Sequence, residues 1–353
     1  MKKIIKRIRT EFQDPKKFIR LHRAEYGHNF QNKKISNYKL NNVYYPDITV
    51  LSKRISKFHR LSNSFINLGL GAESLIRDIF IWHSRKFKLR RIGFGIPAYA
   101  WYRLNAKIYD YKIFNFYYYP SKIKDLTVSV IKRFIVKNNL NFLVLINPSH
   151  PIEKNWSTSE LEEIVYFCKK KRVIILVDEV FQVPHLNSAD FLTKKYSNLI
   201  VVRSFSKAFG LPGIRVGYSM ACKKLKEEIE TYRMAIELPK SSIDEALKAL
   251  KNFKTSVKQR FKKIDRARTF AHKEFKKRGL KSYNNYHNAV SVDLRNVRFA
   301  NKIGKYLKKN RIFINYQFPS KLGQYVNLTT TYIPNLRFFF TKFDKIAKKI
   351  KLI

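Results

Sequence analysis

Short apolar runs alternate with stretches of helical period along most of this chain. Residues 64–70, 109–118, 141–146, 173–177 and 199–202 are apolar and rich in β-branched or aromatic side chains, the composition of strands. Between them, residues 72–82, 126–137 and 159–170 repeat apolar positions at helical spacing. That alternation predicts an α/β fold, a mostly parallel sheet flanked by helices, in a large domain over residues 41–242. Residues 1–40 are polar and irregular and read as an N-terminal arm that joins a smaller domain. Residues 243–353 form that smaller α+β domain. It opens on one long charged helix, 243–277, and continues through strand-like runs at 289–294, 311–314 and 335–340 interspersed with helices. There is no internal repeat and no low-complexity linker.

Composition changes this picture little. The 353 residues are 45% hydrophobic and 15% aromatic, so the chain is globular and long enough for two packed units. Two cysteines without CxxC spacing imply neither a disulfide framework nor a zinc site, and suit a reducing, cytoplasmic compartment. The eight histidines lack ligand spacing, so no metal is expected. The basic start MKKIIKRIRT has no long apolar run, and no segment approaches the roughly 20 apolar residues of a membrane span. Charge is the outlying feature: 73 Lys and Arg against 25 Asp and Glu give +48. Such an excess favours nucleic acid or anionic membranes. Here, however, Lys, Asn, Ile, Phe and Tyr are raised together and spread along the chain, as AT-rich coding produces. The expectation is weak, non-specific, salt-sensitive contact with polyanions.

Four punctuated stretches end the expected strands, where open α/β sheets bind ligands. The turn Gly69-Leu-Gly71-Ala72-Glu73-Ser74 leads into an apolar helix whose free N–H groups attract phosphate. Alone it carries little weight, since a glycine turn before a helix is common. In Pro97-Ala-Tyr99-Ala-Trp-Tyr102, an aromatic near a helix start could stack on a flat ring; a core aromatic is the plainer alternative. In Val173-Ile-Ile-Leu-Val-Asp178-Glu179-Val-Phe181, a carboxylate closes a wholly apolar strand. Burying it is costly without a cation, so Asp178 requires a partner: a protonated pyridine nitrogen, or simply a lysine or a helix cap. The fourth stretch, Ser204-Phe-Ser206-Lys207-Ala-Phe-Gly210-Leu-Pro-Gly-Ile-Arg215, places two hydroxyls and a guanidinium around a lysine amine. Ser204, Ser206 and Arg215 suit a phosphate monoester. A lysine at a buried strand end is desolvated and becomes a better nucleophile, as a Schiff-base lysine requires.

A phosphate cup, a stacking aromatic, a carboxylate for a ring nitrogen and a reactive lysine together describe pyridoxal 5′-phosphate. In these motifs the chain resembles the fold type I pyridoxal-phosphate enzymes, specifically the class I/II aminotransferases. Tyr45-Pro-Asp47 and the overall length resemble the histidinol-phosphate aminotransferase and threonine-phosphate decarboxylase branch. The resemblance extends over nearly the whole chain. It implies that Lys207, Asp178 and Tyr99 are catalytic: Lys207 carries the cofactor, Asp178 protonates its ring and Tyr99 stacks on it. Gly71, Ala72, Glu73, Ser204, Ser206 and Arg215 would hold the cofactor phosphate. Tyr45 would reach the cofactor phosphate of a neighbouring subunit, which implies a homodimer. Arg337, in Leu336-Arg337, and Tyr26 would bind substrate.

Three positions depart from the pattern. His150, in Pro148-Ser149-His150-Pro151-Ile152-Glu153, replaces the asparagine that bonds the cofactor's 3′-oxygen, and titrates near neutrality when unperturbed. Phe181 replaces the tyrosine that is the second donor, a replacement shared with the decarboxylases. Asn315 stands where the branch places an arginine for the substrate phosphate. The expected reaction is transamination between a small amino compound, phosphorylated or not, and a keto acceptor. Decarboxylation of a phospho-amino acid is the second reading. The third, from another class, is a polyanion-binding protein on a degenerate aminotransferase scaffold.

Overall fold

The computed structural model describes residues 45–182, 187–234, 237–284, 288–330 and 332–353. Within them the chain runs α1 (Thr49–His59), β1 (Ile66–Leu70), α2 (Gly71–Lys86), β2 (Arg91–Ile96), α3 (Ala100–Ile108), β3 (Lys112–Tyr117), α4 (Val128–Lys137) and β4 (Phe142–Ile146). It continues through α5 (Thr158–Lys170), β5 (Ile174–Asp178), β6 (Leu199–Ser204), β7 (Val216–Ala221), α6 (Lys223–Glu230), α7 (Lys240–Lys251) and α8 (Phe253–Lys277). Last come β8 (Ser282–Asn284), β9 (Ala289–Asp293), α9 (Val297–Lys309), β10 (Tyr325–Thr329) and α10 (Ile333–Lys349).

Seven strands form one sheet in the order β1-β7-β6-β5-β4-β2-β3. Neighbours from β6 to β3 pair in parallel, whereas β7 runs antiparallel to both β6 and β1. The C-terminal ends of β1, β2, β4, β5 and β6 therefore share one edge with the start of β7. The central strands are buried on both faces: every residue of Phe142–Ile146 and Leu199–Ser204 is buried, as a sheet covered on both sides requires. Helix α5 starts cleanly because Ser157 and Glu160 form a reciprocal capping box. The three-stranded antiparallel sheet β10-β9-β8 packs with α8, α9 and α10 around a second apolar cluster that includes Phe275, Val292, Ile303 and Phe343.

Several sequence expectations shift. Residues 335–340 are helical rather than strand-like. Leu336, Phe339, Phe340, Phe343 and Ala347 are buried along one face of α10, so the period of the pattern overrides the β-preference of its phenylalanines. Residues 243–277 are two helices, broken at Asn252. Residues 311–314 form no strand; only Asn315 bridges to Asn327. Strand β2, RIGFGI, escaped the pattern because of its two glycines. A Cβ on Gly93 would crowd Phe134 and Leu140, and one on Gly95 would collide with Tyr118, so each glycine marks close packing.

Candidate active site

At the shared sheet edge lies a cavity of about 460 Å³. It is lined by Ala72, Glu73, Tyr99, His150, Asp178, Phe181, Ser204, Ser206, Lys207 and Arg215, together with Asn315 from the loop before β10. Strand ends deliver these side chains: β5 ends at Asp178, β6 at Ser204, and Arg215 immediately precedes β7.

Asp178 is buried, and burial pushes its carboxyl pKa up. Its oxygens take the Tyr102 hydroxyl at 2.6 Å and the Val180 N–H at 2.9 Å. Both donors are neutral, so among the described residues no cation is hydrogen-bonded to the carboxylate where it faces the cavity. Tyr102 is the residue that sequence reasoning passed over. Its signal was available: it follows Tyr99, the N-cap residue of α3, by three positions and lies in the helix's first turn.

Glycine at position 71 is required by geometry. Its φ is +68°, and a Cβ would fall 2.7 Å from Arg215 Nη2. The Gly71 N–H donates to the Arg215 carbonyl at 2.8 Å, which ties the two halves of the turn together. The Arg215 guanidinium lies 2.9 Å from the Glu73 carboxylate, which also accepts the Tyr99 hydroxyl. Tyr99 has its phenol pKa raised to about 12, by burial and then by Glu73. Ser204 and Ser206 join through their hydroxyls at 2.9 Å. These groups make an anion cup: a guanidinium, two hydroxyls and the N-terminus of the 16-residue helix α2.

Lys207 departs from the sequence expectation. It is exposed rather than desolvated, with Nζ 5.5 Å from the centre of the Phe181 ring. His150 also differs. Its ring stacks on Phe181 at 4.2 Å and 16°. Burial, then the charge of Lys207, lowers its pKa to about 4, so it is neutral at pH 7 rather than titrating there. Arg337 does not join the site: it is exposed on α10, outside the residues lining the cavity, because the Leu336-Arg337 pair is helical. Tyr45 is exposed at 47%, near the start of the described chain. Tyr26 falls outside the described residues.

Behind the cavity lies a second set of charges. Arg203 donates to Glu179 Oε2 from Nε at 3.0 Å and from Nη2 at 2.6 Å, and Ser188 and the Ala189 N–H complete the carboxylate's shell. Asp190 bonds His59 at 2.6 Å, and His59 bonds Tyr218 at 2.8 Å. Glu179 directly follows Asp178 and Arg203 directly precedes Ser204, so their ion pair ties the ends of β5 and β6 together.

The fold and the site define a large α/β enzyme scaffold with a lysine, a carboxylate and an anion cup at one sheet edge. The family model for aminotransferase class I and II matches residues 30–316, and the chain belongs to that family. A histidinol-phosphate aminotransferase of Thermotoga sp. (strain RQ2) is 29% identical over 196 residues, covering 54% of this chain and 53% of the relative. The chain thus spans about half the length of the curated relatives it matches. The structure of the Sinorhizobium meliloti histidinol-phosphate aminotransferase, solved in complex with pyridoxal-5′-phosphate, superposes with a TM-score of 0.76 at 18% identity, covering 88% of this chain and 84% of that one. The L-threonine-O-3-phosphate decarboxylase of Porphyromonas gingivalis gives 0.70 at 18% identity, over 86% and 90%. These structures establish the shared fold type I architecture.

Proposed function

We propose that this chain is a homodimeric, cytoplasmic pyridoxal-phosphate-dependent aminotransferase acting on a small amino compound, with a phosphorylated one as the first candidate. The observation that carries the reading is the convergence of Lys207, Asp178 and Arg215 on one cavity. The residues fit the cofactor. The anion cup suits a phosphate monoester, and Asp178, buried against neutral donors only, suits a protonated ring nitrogen. Bound there, pyridoxal phosphate would supply an aldehyde that captures the substrate amine and a pyridinium ring that accepts electrons from the adjacent carbon.

The chain's own residues then have separable tasks. Arg215, Ser204 and Ser206 anchor the phosphate. Asp178, oriented by Tyr102, keeps a proton on the ring nitrogen. Tyr99 covers one side, and the Lys207 amine would take the proton from the substrate's amine-bearing carbon and deliver it to the carbon of the cofactor's former aldehyde. Phosphate esters occur in the names of all three relatives described above, which favours a phosphorylated substrate. Free Cys168 and Cys222 suit a reducing compartment, and no helix among the described residues is long and apolar enough to cross a membrane.

Phosphothreonine-type decarboxylation is the second reading, favoured by the His150–Phe181 stack. That stack puts a neutral imidazole and a hydrocarbon ring where two polar donors are usual. The test is to incubate purified protein and cofactor with amino acids and phospho-amino acids, following keto-acid and CO2. Keto-acid formation matched to amino transfer is the expected result. Stoichiometric CO2 would replace transamination by decarboxylation, and neither product would leave only the binding-scaffold reading.

A further inference from the structure

A second cavity of about 830 Å³ opens between the long helix α8 and the start of α10. Arg260, Lys263 and Arg266 of α8 line one wall, and Thr330, Tyr332 and Ile333 line the other. No acidic residue is among the lining residues. Lys263 and Arg266 are exposed and could be solvated anywhere, as on much of this basic chain. Arg260 and Thr330 differ. Thr330 is 5% exposed, and among the described residues its buried Oγ1 has no hydrogen-bond partner. Nη1 of Arg260 is likewise buried and unpartnered, and among the described residues Arg260 makes no ion pair. Burial lowers its pKa. Arg260 is half-buried, but a buried guanidinium nitrogen without a partner is costly, as is a buried hydroxyl without one. Both costs vanish if one anion accepts from the two groups.

The third wall element points the same way. Helix α10 is 17 residues long, has no side-chain cap and has no acidic residue in its first turn. Its first N–H groups therefore present positive potential to the cleft, apart from Pro334, which has none. The cleft also adjoins the reactive lysine's loop. A Cβ on Gly210, three residues after Lys207, would overlap the Arg260 guanidinium.

We propose that this cleft binds a phosphate group, held by Arg260, the Thr330 hydroxyl and the start of α10, at a site separate from the cavity around Lys207. The ligand is a free phosphate ion or a small phosphate monoester; both offer the oxygens these donors require. The proposal does not depend on the reaction catalysed.

The test is calorimetric titration of full-length protein with inorganic phosphate and, separately, with glycerol phosphate, pyridoxal phosphate being present so that any cofactor cup is filled. One saturable site per chain is expected, and the tighter ligand tells a free ion from an ester. Arg260→Gln should weaken binding about tenfold or more, and Thr330→Val several-fold. Arg260→Lys should retain part of the affinity, and Lys348→Gln, an exposed charge near the far end of α10, should leave it unchanged. If Arg260→Gln does not fold, Thr330→Val decides alone. Wild-type affinity in Thr330→Val and Arg260→Gln, or equal weakening by Lys348→Gln, would overturn the proposal, since binding would then reflect net charge.

Discussion

Two carboxylate–guanidinium pairs take their arginines, Arg203 and Arg215, from either side of Lys207, and they differ in almost everything except chemistry. Glu179–Arg203 is fully enclosed, with side chains 0% and 2% exposed, and every contact is reinforced by Ser188 and Ala189. Glu73–Arg215 is open, with side chains 43% and 44% exposed. A buried pair is locked, because separating it strands a charge in a dry interior; an open pair contributes little and exchanges readily. The difference teaches where the fold keeps rigidity and where it keeps availability. The closed pair holds the ends of β5 and β6 in place, and the open one holds a guanidinium that a phosphate can claim from Glu73.

The largest expected effect comes from breaking the closed pair. Glu179→Ala leaves Arg203 buried without its partner and should cost about 3–5 kcal/mol of stability, read from denaturant unfolding. A loss under 1 kcal/mol would mean that the pair is no lock. Breaking the open pair should act elsewhere. Arg215→Ala is expected to change stability by no more than about 0.5 kcal/mol. It should weaken cofactor binding by about 1.5–3 kcal/mol, the range of one charge-assisted contact, as followed by the bound chromophore. Equal losses of stability in the two variants would erase the distinction.

A smaller effect sharpens it through pH. Asp190, in the closed network, is partly held up by burial but pulled down overall to about 2, by His59 and then by the charge of Arg203. Its folded pKa lies below the unfolded value of 3.8, so its contribution is present above about pH 4 and is lost as pH falls toward 2. At pH 7 that contribution is on the order of 2 kcal/mol. The stability difference between wild type and Asp190→Asn should therefore shrink across that window; a constant difference would show that the carboxylate's charge contributes nothing.

Much of this arrangement was legible in the sequence, for identifiable reasons. The apolar strands β4, β5 and β6 announce themselves, and the motifs at their ends follow directly from them. Asp178, Ser204, Ser206 and Lys207 could thus be placed at one edge before any coordinates. Strand β2 could not, because its glycines serve packing against Phe134 and Tyr118, residues distant in sequence. Arg337 was misplaced because the aromatic run 338–340 suits either a strand or a helix, and only burial on one face decides. Tyr102 was overlooked for the converse reason. Its role depends on a hydrogen bond across the fold to Asp178, although its spacing from Tyr99 was in plain view. The closed network is the least legible of all, since Glu179, Arg203, Asp190 and His59 are brought together from four separate segments.

The central claim is that the open cavity holds pyridoxal phosphate covalently through Lys207. The most direct measurement is borohydride reduction of the protein loaded with pyridoxal phosphate, followed by peptide mass mapping of wild type and Lys207→Ala. A reduced pyridoxyl group on Lys207 alone, absent from a folded Lys207→Ala protein, is the predicted result. Labelling scattered over other lysines of this very basic chain, or unchanged in the variant, would contradict it.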